Sequence, residues 1–321
     1  MIKIKKFTSS DIEFNEIARI RNLVNHDSID HPDYDKDDWQ TRDQSLIRDR
    51  LLLYNKDKLI GTLYFVQGRN ENSRTSFFNI ILDPKYNNHG YRQLLYQEML
   101  NQVKNFDCNK LYTNVYDHLN YKKYQKLLIN HKFKLVQTNR EYSCDIRKIN
   151  TKKYNPLIHQ LESEGIKFYD SRDEMQDFEN HFKKLEELEW ELDQDVPIPN
   201  GIKHTRTPFK RWKKQCIDFY DNYYGVHIIA VNDGQYIGST DIEVFSKAEP
   251  YKGWTGTLGV LKEFRRKGIA TALKIKAIEI LLKKGIKQLR TDNEEKNPMY
   301  KINIALGFQP VPNSLEYLKE I

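Results

Sequence analysis

Cysteine is scarce. Cys108, Cys144 and Cys216 are the only three in 321 residues, far apart and in no Cys-x-x-Cys pair. That spacing argues against a disulfide framework or a zinc site and fits a reducing compartment. Each thiol reads as a small buried hydrophobe. Apolar runs of about 18 residues are also missing, so no membrane span is expected. The opening MIKIKKFTSS lacks the hydrophobic centre of a secretory signal, and a cytoplasmic location is expected. Charge of one sign does not dominate: 52 Lys+Arg face 45 Asp+Glu, a net +7. Through Ile149 the count is 25 against 19, and after it 27 against 26, so the excess belongs to the first half. It is not gathered into a stripe with stacking aromatics, and no nucleic-acid partner is expected.

What is present is a globular composition, 39% hydrophobic and 30% charged, in a chain long enough for two domains. The most informative stretch runs from Trp254 to Phe308. Leu258, Gly259 and Val260 form a short apolar run of buried-strand length. Arg265-Arg266-Lys267-Gly268-Ile269-Ala270 then makes a basic turn. A helix follows, with Ile269, Leu273, Ala277, Ile280 and Leu281 on one face and Gly285 as its stop. A strand feeding a basic, glycine-containing turn at a helix start makes an anion site, because the first helical N–H groups lack intrahelical partners. The expected ligand is a phosphate or pyrophosphate. On spacing alone, a solvated basic loop capping an ordinary strand–helix unit remains an equal alternative.

Arg265-x-x-Gly268-x-Ala270 after a strand resembles the pyrophosphate loop of the GNAT acyltransferase superfamily, and TDNEEKNPMYKINIALGF resembles that fold's closing strand–helix–strand, ending in Gly307-Phe308. The resemblance implies an α+β fold with a mixed, mostly antiparallel sheet flanked by helices, and acetyl-CoA as acyl donor with no metal. It implies that Arg265, Arg266, Lys267, Gly268, Ile269, Ala270 and Thr271 hold the pyrophosphate. Backbone groups of Leu258, Gly259 and Val260 would pair with the pantetheine arm, and the Val260 N–H would polarise the thioester carbonyl. Asn293, Asn297 and Asn303 match the Asn-rich ending of tandem members such as mycothiol synthase-like proteins. Many members carry, four residues before the closing glycine, a Tyr that protonates the leaving thiolate; here that place holds Asn303, and Tyr300, one helical turn earlier on a neighbouring face, is the candidate for the role, with a plain surface or packing tyrosine as the other reading.

The first half repeats the order of elements, which implies two tandem GNAT domains, 1–149 and 150–321. Its loop departs from the pattern: Asn87 and Arg92 stand at the first and third conserved places, and Lys132-Phe133 replaces Gly-Phe. An arginine at the third place would crowd a pyrophosphate, so this half is expected to bind acyl-CoA weakly or not at all. Here Asp11–Leu23 reads as a helix, and Asn25–Asp38, with Pro32, as an acidic loop whose His26, Asp27, Asp30 and His31 match no standard metal site. In the second half Asp173–Leu192 reads as one long helix, a second helix with a Trp212, Cys216, Phe219 stripe follows Pro208, and Asn232-Asp233-Gly234 marks a hairpin. Asp241 and Glu243 share one face of the strand beside the cofactor strand, and Glu243 is the candidate base, with solvent-facing residues of a half-exposed sheet as the equal alternative for both.

The reaction implied is acetyl transfer to the amine of a small molecule or peptide. Two alternatives stand beside it: a non-catalytic tandem module, and a tRNA-dependent aminoacyl transferase, which would not need the intact loop. The acceptor and the oligomeric state are not legible, and the Lys-, Asn- and Ile-rich composition hints at an AT-rich, bacterial genome.

Overall fold

The computed structural model describes the chain except residues 26–28, 88, 176–177, 223 and 245–246, and except the side chains of 219 and 222. His26 and Asp27 of the acidic cluster, Asn88 of the first loop and the Phe219 side chain therefore lie outside the described residues. The fold is α+β, in two compact units. The first takes residues 1–140, 198–205 and 312–321; the second takes 141–197 and 206–311.

The first unit opens with β1 (Ile2–Lys6), α1 (Asp11–Val24), α2 (Pro32–Thr41), β2 (Arg48–Asn55), β3 (Lys58–Gln67) and β4 (Thr75–Leu82). It continues through α3 (Tyr91–Gln102), β5 (Lys110–Tyr116), α4 (Lys122–Asn130) and the start of β6 (Lys134–Asp145). Strands β1 to β4 pair antiparallel in sequence order, and β4 pairs parallel with β5. Residues 314–320 of the last strand add antiparallel to β5, Ser314 opposite Tyr116 and Glu320 opposite Lys110. Ser10 caps α1 in a capping box with Glu13, which satisfies orphan N–H groups at both ends of the pair.

The second unit begins at Glu141 within β6 and holds α5 (Asn155–Ser163), β7 (Ile166–Asp170), α6 (His181–Asp193), α7 (Phe209–Asn222), β8 (Tyr224–Asn232) and β9 (Gln235–Val244). Then come β10 (Lys252–Val260), α8 (Ile269–Lys283), β11 (Gln288–Glu294), α9 (Tyr300–Ala305) and the start of β12 (Gln309–Glu320). Strands β7 to β10 are antiparallel in order and β10 is parallel to β11, the pattern of the first unit again. One face of this sheet packs on α8 and α5 through Ile228, Ala230, Ile242, Leu273 and Ile278. The other packs on α6 through Ile229, Leu185, Leu188 and Leu192.

Two expectations are corrected. The acidic stretch is not all loop: α2 starts at Pro32, with His31 as N-cap, because proline's fixed φ suits the first helical position. Its Asp35 is buried and accepts from both terminal nitrogens of Arg50, at 2.6 and 2.8 Å. The helix predicted from Asp173 begins only at His181. Upstream, Asp170 accepts from the Arg172 N–H at 3.1 Å, the Ser171 N–H donates to the His227 carbonyl at 2.7 Å, and Asn180 is left-handed with φ 56°. Those turn bonds win over helical periodicity.

Candidate active site

In the second unit β10 and β11 pair only at Lys252/Gln288, Gly253/Leu289 and Trp254/Arg290. Beyond Trp254 they part. The cause is local: Thr255 faces Ile242 and Leu258 faces Thr240, so Gly256 and Thr257 together oppose Asp241 in a bulge. Asp241 Oδ1 accepts from the Thr257 N–H at 2.6 Å, and the Thr240 hydroxyl donates to the Thr257 carbonyl at 3.0 Å. A bulge adds twist and turns the strand from its neighbour. Gly256 is required there, because a β-carbon would lie 2.0 Å from Asp241 Oδ2. Leu258 and Gly259 are half-buried and Val260 is buried along the freed edge.

The turn after β10 is built for an anion. Arg266 and Gly268 are left-handed, with φ 65° and 88°, and Gly268 caps α8. The N–H groups of Arg266, Lys267 and Gly268 have no partner among the described residues. Alternating backbone hands make such a concave nest of donors, and the helix dipole adds positive potential. The left-handed φ favours glycine at 268, and a β-carbon there would also come 2.7 Å from Leu157 Cδ1, which would have to move aside. Arg266 and Lys267 are exposed. Arg265 is committed elsewhere: its Nε donates to the Val260 carbonyl at 2.8 Å and its guanidinium pairs with Asp195. It braces the loop. Ile269 is buried in the core, and Ala270 and Thr271 are half-buried in the first turn of α8.

Behind the loop lies a residue that the sequence reading passed over. Lys274 is fully buried on α8. Its Nζ donates to Asn303 Oδ1 and lies 4.6 Å from the centre of the Phe308 ring. Asn303 in turn donates through Nδ2 to Asn293 Oδ1 at 2.8 Å. Burial pulls the Lys274 amine down to about 7. Its signal was its place on the apolar stripe, four residues after Ala270 and four before Ile278. Asn293 is half-buried on the part of β11 past the last β10 pair. Asn297 accepts from the Met299 N–H at 3.0 Å, so the Asn-Pro step makes a turn and α9 starts at Tyr300. Tyr300 is half-buried at the edge of the core, and its hydroxyl has no partner among the described residues.

The opposite sheet face carries the carboxylates. Glu243 is 2% exposed, and its carboxylate is paired with the guanidinium of Arg172. Burial raises its pKa, and the charge of Arg172 opposes that rise. Gly225 leaves room for it, since a β-carbon there would come 2.2 Å from Glu243 Oε2. The more reachable acid is Glu189 on α6, with 27% of its side chain exposed. Burial, and then the charge of Asp241, push its carboxyl up to about 8, while the Trp212 indole N–H, donating at 3.0 Å, opposes them. Sequence periodicity could not find Glu189, because its chemistry comes from a strand about 50 residues away. Among the described residues no group of three His, Cys, Asp or Glu side chains is placed to hold a metal ion.

In the first unit the corresponding space is filled from within. β4 and β5 pair only from Thr75/Lys110 to Phe77/Tyr112. Past that point the Arg92 guanidinium, buried on α3, donates to the Ile80 carbonyl at 2.8 Å and to Asn87 Oδ1 at 2.9 Å, and it lies over the Tyr124 ring.

Two stretches of the chain, 14–126 and 182–303, match the model of the acetyltransferase (GNAT) family. No curated protein matches the chain in sequence. Among solved structures, a tandem GNAT protein from the clavulanic acid biosynthesis pathway is similar with a TM-score of 0.78 at 15% identity, covering 100% of this chain and 98% of the other. A GCN5-related N-acetyltransferase from Sphaerobacter thermophilus is similar with a TM-score of 0.70 at 14% identity, covering 99% and 95%. The glucosamine N-acetyltransferase region of a fungal multi-domain β-N-acetylglucosaminidase gives 0.74 at 12%, covering 99% of this chain and 38% of that one. At these identities the likeness is one of fold.

Proposed function

The chain belongs to the GNAT acetyltransferase family, and on that premise we propose that its second unit transfers an acetyl group from acetyl-CoA to an amine. The observation that carries this reading is the parting of β10 from β11 in the strand that leads straight into the donor nest at 266–268. The nest and the exposed Arg266 and Lys267 take the pyrophosphate, with Ile269, Ala270 and Thr271 supplying the first helical turn. The freed edge of β10 at Leu258, Gly259 and Val260 takes the pantetheine arm, as an added strand would bind. Asn293, on the part of β11 past the last β10 pair, would meet that arm from the other strand, and Asn297 holds the turn that follows it.

In the reaction the amine nitrogen attacks the thioester carbon, the C–N bond forms, and the carbonyl oxygen takes negative charge opposite the Val260 N–H. Glu189 takes the proton of the attacking ammonium. Its partial exposure fits that role better than the closed Arg172–Glu243 pair does. The C–S bond then breaks, and the thiolate takes its proton from Tyr300, while Asn303 holds Asn293 in place. The first unit binds no acyl-CoA, since Arg92 already occupies the Ile80 carbonyl.

Calorimetric titration of the full chain with acetyl-CoA tests this. One site per chain is expected. Arg266→Glu should weaken it at least tenfold, in line with reversing a charge-assisted phosphate contact, and Gly268→Val should abolish it. Absence of binding would refute the donor assignment, and two sites would refute the closed first unit. A separate titration of Arg92→Ala should still show one site, because His89 and Asn87 stand where the second unit's loop has the cations Lys267 and Arg265; a second site would mean that Arg92 alone blocks the first unit.

A further inference from the structure

A base that strips an acceptor's proton must pass that proton on, and the second unit holds a set of groups able to do so, hydrogen-bonded without a break from His227 to Tyr236 and separated from Glu189 by one 3.8 Å step that must close for transfer. His227 is 3% exposed; its Nε2 has no hydrogen-bond partner among the described residues and lies 3.8 Å from Glu189 Oε1. Its Nδ1 is 2.5 Å from the Tyr220 hydroxyl. That hydroxyl is 3.1 Å from Ser171 Oγ, and Ser171 Oγ is 3.0 Å from His181 Nε2. His181 Nδ1 is 2.9 Å from the Tyr236 hydroxyl. Ser171 and His181 are buried, and Tyr236 lines an open groove of about 320 Å³ with Glu187, Glu191 and Lys184. Every member between Glu189 and the groove is a hydroxyl or an imidazole, which can donate and accept at once.

We propose that His227, Tyr220, Ser171, His181 and Tyr236 form a proton relay from Glu189 to this groove. It rests on the acyl-transfer reading for its purpose, though not for its geometry. The balance is complete. Glu189 gives its proton to the bare His227 Nε2; His227 Nδ1–H passes one to Tyr220, Tyr220 to Ser171, Ser171 to His181 Nε2, His181 Nδ1–H to Tyr236, and Tyr236 to water. Five groups each gain one proton and lose one, and Glu189 returns to carboxylate. The polarity is set at the inner end, where only an unprotonated Nε2 can receive. Burial keeps both rings neutral: it holds His181 below its usual range and His227 far lower, near 3, with Arg172 adding to the latter. The charged or titratable groups facing the relay are Arg172, over the Tyr220 ring at 4.6 Å, and Cys216, both beside Tyr220; Asp170 at the His227 N–H; Asp241, Asp193 and Glu186 around Glu189; and Lys184 over Tyr236.

The test has two arms on the full chain. Side-chain ¹⁵N NMR without ligand should show His227 and His181 neutral from about pH 6 to 9, both with the proton on Nδ1. A proton on His227 Nε2, or an imidazolium at either ring, overturns the relay whatever the enzyme does. The second arm measures single-turnover acetyl transfer from acetyl-CoA to cadaverine and 2-phenylethylamine in H₂O/D₂O mixtures. Tyr236→Phe and Ser171→Ala, both remote from Glu189, should each slow it about tenfold, less than the loss expected for removing a general base, with both KM values unchanged. The curved proton inventory of the wild type should become linear. Wild-type rates with an unchanged inventory in both variants overturn the proposal. If the wild type acetylates neither amine, these two are not its acceptors, the acyl-transfer reading rests on the acetyl-CoA titration, and the tautomers alone decide the relay.

Discussion

Glu189→Gln is expected to lower kcat by about 10²–10⁴, the range a general base contributes, while the KM for acetyl-CoA stays within twofold. Gln keeps the shape and can still accept from Trp212 Nε1, so the fold and the donor site are unaffected. The pH dependence gives the sharper signature. Glu189 is held up to about 8 by burial and by Asp241, so its basic form accumulates as pH rises through that value. The wild-type rate should climb tenfold per pH unit below about 8 and level off above it. The Gln variant should lose that limb, and Arg172→Met, which disturbs Glu243 instead, should keep it. A profile from pH 6 to 10 on any amine that is turned over decides the point; retention of the limb in Glu189→Gln would return the role to Glu243.

The second large effect concerns stability. Lys274 is charged in the unfolded chain below about 10.5 and neutral in the folded one down to about 7. Between those values the unfolded state binds the extra proton, so wild-type stability falls as pH falls through the window and rises as pH rises. The full difference is on the order of 4 kcal/mol. Lys274→Met fills the same volume without the charge. Its stability relative to wild type should therefore be several kcal/mol higher at pH 7 than at pH 10. The raised carboxyls, Glu189 among them, titrate with the opposite sign, but they are common to both proteins and cancel in the difference. Urea unfolding of both proteins at the two pH values measures it, and parallel pH profiles would show that the buried amine is charged in both states.

What the sequence revealed of this fold was what is local. The loop from Arg265 to Ala270 could be read because a strand end, a left-handed glycine and a helix start are consecutive, and the left-handed Arg266 only sharpens it. The parting of β10 and β11 was implied by resemblance. Its cause, two residues opposing Asp241, is a pairing register that no single strand displays. Glu243 was visible by alternation, but Arg172, which neutralises it, comes from a turn that helical periodicity disguised. His181 and His227 give no signal in the sequence, because their connection runs through Ser171 and Tyr220 across three elements. Lys274 was legible in principle, a charged residue inside an apolar stripe.

The membership of residues 312–321 in the first unit has a consequence for biosynthesis. Among the described residues, the edge of β5 away from β4 pairs with Ser314–Glu320, and Tyr112 bonds to Glu316 across 204 positions of sequence. During synthesis the ribosome has about 200 residues still to add after β5 emerges, which at typical elongation rates is tens of seconds with that edge bare. The first unit is therefore made first and finished last. Its nascent form presents an unpaired strand to any chaperone or neighbouring chain, and its closure is a late, high-contact-order step.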